Sequence, residues 1–70
     1  MPYLYPMIDT DNMEHMSEKM RHALTLFEAS NVTSMKRKFQ AAEVRSFIAE
    51  NTGDAELART FEPRFLFSVT

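Results

Sequence analysis

Three side chains of the kind that bind metals recur at helical steps near the start of this chain: His15, Glu18 and His22. Imidazole nitrogens and carboxylate oxygens are both zinc ligands, and steps of three and four place all three on one side of a helix. The geometry is poor for one ion. His15 and His22 would lie two turns apart, about 10.5 Å along the axis, whereas metal-binding histidine pairs on helices are four apart. A solvated face with a Glu18–His22 contact accounts for them better. No metal and no cofactor is expected.

Nucleophilic catalysis fares no better. It needs a nucleophile, a base and an orienting group brought together from separate elements, and both histidines fall in one predicted helix. The single glycine rules out a phosphate-cradling loop. Paired carboxylates occur, but nothing in their spacing singles one out. A chain of 70 residues also has little volume for a ligand pocket of about 300 Å³ or more. The expectation is a protein that is not an enzyme.

The one basic cluster is Lys36-Arg37-Lys38. With Arg59 it could face phosphate, and residues 41–61 have the outline of a degenerate helix-turn-helix, two short helices around Gly53. Asp54 and Arg59 stand where that motif wants apolar residues, and Asp54 and Glu56 would repel phosphate at the start of the second helix. The same lysines would equally protect an edge strand against aggregation. A nucleic-acid-binding regulator is therefore the alternative reading, not the favoured one. Charge agrees: the net is −2, with five acids and two bases in residues 1–33 against six bases and five acids in residues 34–70. That asymmetry is too small to coat a polyanion.

The strongest pattern carries no acid–base chemistry. Met13, Met16, Met20, Leu24 and Phe27 recur at three- and four-residue steps and form one stripe on a predicted helix over residues 12–30. Methionine is flexible and polarizable and suits surfaces that accept variable partners, although a small domain also needs its long helix inside. The stripe must pack into the chain's own core or against another chain. Ahead of it, residues 1–10 read as an extended apolar arm, because Pro2 and Pro6 exclude a helix interior and confine any strand to an edge. Tyr3, Leu4, Tyr5 and Ile8 are expected to press onto the body or a partner.

Asp11 with Glu14 three residues on predicts a capping box that opens the long helix, about 28 Å in length and ending near Ser30-Asn31. Residues 34–51 could form one helix, but Met35, Phe39 and Ala42 would point away from Val44, Phe47 and Ile48. A break near Phe39-Gln40 removes the conflict. It leaves a strand over 32–39 and a helix over 41–51 that buries Ala41, Val44, Phe47 and Ile48. Gly53 suits a left-handed helix stop, Asp54 a new N-cap, and residues 55–61 a third helix presenting Leu57, Ala58 and Phe61. Pro63 ends it. Residues 64–70 alternate as a strand, with Phe65, Phe67 and Val69 on one face and Leu66 and Ser68 on the other.

The expected fold is a single small helix-dominated α+β domain with a long N-terminal helix, two short helices and a small sheet. An all-α bundle with a C-terminal strand is the alternative. Seventy residues without cysteine must be stabilised without disulfides, and self-association is one route. No segment approaches the roughly 20 apolar residues of a membrane span, and no leader is visible at the N-terminus, so the cytoplasm is the expected compartment. The favoured function is a small protein-binding module of adaptor or inhibitor type, of a size common among accessory proteins of bacterial viruses. It would hold another protein, a second copy of itself, or both, through Tyr3, Tyr5 and the methionine stripe.

Overall fold

The computed structural model describes residues 3–31 and 38–69. Strand β1 (Tyr3–Ile8) leads into a 3₁₀ turn (Thr10–His15) and then helix α1 (Glu18–Ser30). Helices α2 (Ala41–Thr52) and α3 (Ala55–Arg59) follow, then a short 3₁₀ turn (Pro63–Phe65) and strand β2 (Leu66–Val69). The fold is helix-dominated α+β, with β1 and β2 paired antiparallel in a small sheet.

The long predicted helix is two elements. Asp9 caps the 3₁₀ turn, its carboxylate accepting from the Asp11 N–H at 3.1 Å and from the Asn12 amide at 3.0 Å. Met16 is then extended, and Ser17 opens α1 by accepting from the Met20 N–H at 3.1 Å. The expected capping box at Asp11 is therefore replaced by caps at Asp9 and Ser17. Thirteen residues in α1 give a helix of about 20 Å. The turn is also held from outside: the Asp9 N–H donates to the Phe65 carbonyl at 2.9 Å. That bond ties the start of the turn to the far end of the chain.

Helix α2 begins where the break at Phe39-Gln40 was expected, and the Glu43 carboxylate accepts from the Gln40 N–H at 3.1 Å. It stops at Gly53, whose backbone is left-handed at φ 68°, a conformation that costs L-residues with a Cβ. Asp54 caps α3 by accepting from the Leu57 N–H at 3.0 Å. Helix α3 ends at Arg59, earlier than expected, and Phe61 is buried beyond it. Arg45 secures that exit. Its guanidinium donates to the Phe61 carbonyl at 3.1 Å and lies 5.8 Å from the ring centre.

The sheet departs from expectation in two ways. First, β1 is an edge of a two-stranded sheet, as its prolines require, but it is also bridged at one residue on its second side. Tyr3 pairs with Val69 and Leu4 with Ser68 on one side, while on the other Leu4 exchanges both backbone hydrogen bonds with Phe39, at 2.6 and 2.7 Å. Pro6 is tolerated because the register shifts between Leu4 and Ile8, a bulge where a missing N–H costs no ladder bond. Of the strand expected over 32–39, residues 32–37 lie outside the described residues, and Phe39 forms that single bridge. Second, β2 starts at Leu66, not residue 64, because Pro63 opens a 3₁₀ turn instead of only ending a helix. Within β2 the expected alternation holds, with Leu66 buried and Phe67 exposed, but Phe65 lies in the turn and is buried too, off the face expected for it. The Val69 side chain lies outside the described set.

One core joins all the elements. Leu4 from β1, Met20, Ala23, Leu24 and Phe27 from α1, and Val44 and Ile48 from α2 are buried together with Leu57, Ala58, Phe61, Phe65 and Leu66. At its centre Phe27 makes edge-to-face contacts with Phe39 at 4.9 Å and with Phe47 at 5.0 Å between ring centres. Ala41 and Phe47 are only half-buried, less than expected. Among the described residues no buried side-chain nitrogen or oxygen lacks a hydrogen-bond partner.

Candidate protein-contact surface

The methionine stripe divides at Ser17. Met20, Leu24 and Phe27 are in the core, and Met16 is half-buried against it. Their burial removes Met20, Leu24 and Phe27 from any contact surface, because a partner could reach them only by opening the fold. Met13 is half-buried in the 3₁₀ turn. Of the two packing partners open to the stripe, the chain's own core takes its C-terminal part.

What stays exposed lies on the sheet. Along β1, Leu4 and Pro6 are buried and Ile8 packs against the core. Alternation therefore turns Tyr3, Tyr5 and Met7 to the other face. Phe67 of β2 lies between inward Leu66 and Ser68, the partner of inward Leu4, so it shares that outer face. Tyr3 is 45% exposed, Met7 37% and Phe67 42%, while Tyr5 is half-buried. Sequence reasoning placed Tyr3 and Tyr5 in the contact set but missed Met7 and Phe67. Strict alternation from Leu4 would have found Met7. Phe67 depends on the register set by the Pro63 turn.

The fourth large exposed apolar side chain among the described residues, Leu26 at 39%, belongs elsewhere. It lines an open groove of about 710 Å³ between α1 and the α2–α3 corner, with Met13, Lys19, His22, Asp54 and Leu57. The expectation that so small a chain has no ligand-sized volume is corrected by this groove. The sharp turn at Gly53 carries α3 away from α2 and opens a concavity beside α1 instead of a closed cavity. Its charges are mixed, and Arg21 at its rim pairs with Glu18 at 3.3 Å.

The face expected to carry His15, Glu18 and His22 together is split as well. His15 sits in the 3₁₀ turn, 3.9 Å from the Glu14 carboxylate, while His22 is on α1. Among the described residues no three His, Asp or Glu side chains gather as a metal site would require.

Of the basic cluster, Lys36 and Arg37 lie outside the described residues, and Lys38 is exposed beside the Phe39 bridge. Arg59 ends α3 and pairs with Glu56 at 3.3 Å. Two helices do flank Gly53 as in the helix-turn-helix outline at 41–61, but α3, where a recognition helix would stand, has only five residues. Among the described residues no helix is long and apolar enough to cross a membrane. Comparison with protein-family models, curated proteins and solved structures finds no match for this chain.

Proposed function

We propose that this chain is a small non-enzymatic protein-binding module of adaptor or inhibitor type that holds its partner on the outer face of the sheet. One observation carries the reading. Three of the four large apolar side chains left exposed among the described residues, Tyr3, Met7 and Phe67, stand together on that face. Half-buried Tyr5 lies between them along β1.

Scattered apolar side chains on a surface need no explanation, but a contiguous group of them marks an interaction site. The residue types fit as well. Aromatic residues and methionine are enriched at protein interfaces and charged residues depleted at their centres. Tyrosine brings a large rigid ring and a hydroxyl for the polar rim, and it is among the residues that dominate binding energy. Methionine adapts its shape to the surface it meets. The rigid backing comes from Leu4, Pro6 and Leu66 beneath, which hold the strands to the core.

The test is affinity capture with the wild-type chain, the double variant Tyr3→Ser/Met7→Ser, and Leu26→Ser in the groove as a control. A partner held by the sheet is retained by wild type and by Leu26→Ser and lost with the double variant. Direct titration of the purified partner then gives a loss of affinity of at least tenfold. Retention by the double variant refutes the reading. So does dependence on Leu26 instead, or salt-sensitive capture of DNA or RNA that vanishes with Lys38→Ala.

A further inference from the structure

The antiparallel ladder decides which backbone groups of β2 are already used. Residues in such a pair alternate between exchanging hydrogen bonds with their opposite number and turning both groups away. Leu4 gives its N–H and its carbonyl to Phe39. It therefore faces Ser68 in a non-hydrogen-bonded pair, and the N–H and carbonyl of Ser68 point away from β1. Leu66 stands in the same phase; its N–H turns back to the Pro63 carbonyl, and its own carbonyl faces outward. Among the described residues no strand lies on that side of β2.

Natural edge strands are guarded by lysine, proline or a bulge, because an unguarded one pairs with whatever strand it meets. In this sheet the proline and the bulge are both on β1, whose second side is bridged at Leu4 alone among the described residues. The edge strand itself reads Leu66-Phe67-Ser68-Val69, with neither charge nor proline. β1 carries its guards where it is left open, whereas the four-residue β2 has its shortness alone. That is the pattern of an edge that is covered in the working protein.

The symmetry of the edge points to its occupant. Around a twofold axis each residue meets itself or a near neighbour from the other copy, so a charge close to the axis would repel its own image. The side chains of residues 65–70 carry no charge. An axis at Ser68 lets each Ser68 N–H donate to the Ser68 carbonyl of the other copy, and sets Phe67 opposite position 69 of that copy on the outer face. The small hydroxyl at the axis makes no steric conflict with its image.

We propose that two copies of this chain join edge to edge through β2, antiparallel and in register about Ser68, making one continuous sheet from the two small ones. The two outer faces bearing Tyr3, Tyr5, Met7 and Phe67 then lie side by side as a single doubled surface. This contact uses backbone groups and is independent of the partner surface proposed above.

The test is sedimentation equilibrium across a micromolar-to-millimolar series, with amide exchange followed by NMR. Wild type should rise from one chain mass to two, and the Ser68 amide should become protected as concentration rises. The Val69 amide, bonded across the ladder to Tyr3, should be protected throughout. Ser68→Pro removes an N–H that the chain's own ladder does not use, a position where an edge strand tolerates proline; it should hold the mass at one chain with an unchanged far-UV spectrum. Should Ser68→Pro fail to fold, Ser68→Lys, which sets like charges across the axis, should also hold it at one. Wild type remaining at one chain mass throughout overturns the proposal. So does dimerisation of the folded variants as strong as wild type, or growth past two chains, which a closed twofold contact forbids. Tyr3→Ser/Met7→Ser should dimerise like wild type, so failure of the partner reading and of this one are seen separately.

Discussion

Phe27→Leu tests whether the apolar stripe works as core. Phe27 is buried where α1, α2 and the Phe39 bridge meet, in edge-to-face contact with Phe39 (74° between planes) and Phe47 (72°). Each such pair adds about 0.5–1.5 kcal/mol beyond the area it buries. Leucine keeps an apolar side chain in the site but loses both ring contacts, so the expected cost is about 2 kcal/mol. A chain of 70 residues has a total stability of roughly 4–10 kcal/mol, at about 0.05–0.15 kcal/mol per residue. The variant should therefore fold, with a melting temperature lower by roughly 8–16 °C. Urea titration followed by far-UV circular dichroism measures the loss, and an unchanged slope shows that the same surface is exposed on unfolding. Leu26→Ala, on the exposed side of the same helix, should stay within about 0.5 kcal/mol of wild type. A double-mutant cycle with Phe39→Leu should return a coupling of about 0.5–1.5 kcal/mol. If Phe27→Leu costs no more than Leu26→Ala, or the cycle shows no coupling, the stripe is not the centre of the core and the surface assignment built on its burial fails.

The remaining predictions concern local structure. Ser17→Ala should cost about 1 kcal/mol in the same urea assay by removing the acceptor for the Met20 N–H, whereas Asp11→Ala should cost far less, since Asp11 opens no α-helix. The opposite ranking would restore the continuous helix. Gly53→Ala should cost about 1 kcal/mol through its left-handed backbone alone, because an added Cβ meets nothing within 4 Å. Gly53→Asn should recover part of that loss, as asparagine tolerates this conformation better.

Some of this architecture was legible from residue types and spacing because the deciding interactions are local. The stop at Gly53, the cap at Asp54, the end of α1 near Asn31 and the start of α2 after Gln40 each depend on hydrogen bonds within a few residues. The buried half of the stripe, Met20, Leu24 and Phe27, follows from helical periodicity for the same reason. The candidate site was only partly legible. Tyr3 and Tyr5 were chosen, but as an arm lying on the body and not as the outer face of a strand. Asp11 was read as the N-cap of the long helix, whereas Ser17 opens α1. The start of the turn before α1 is tied to Phe65, 56 positions from Asp9, a contact that no local pattern shows.

The sequence by itself determined that three helices form, the ends at Asn31, Gln40 and Gly53, and the supply of apolar side chains, since propensity, capping and periodicity act over one or two turns. Only the tertiary structure decided which side chains stay outside. The outer face joins β1 to a strand from the opposite end of the chain, and its register is set by the Leu4–Phe39 bridge, the bulge at Pro6 and the Pro63 turn. A shift of one residue in that register exchanges the faces of a strand, burying Phe67 and exposing Leu66. Pairing between distant strands is a global choice of register, and no local pattern along β1 or β2 specifies it.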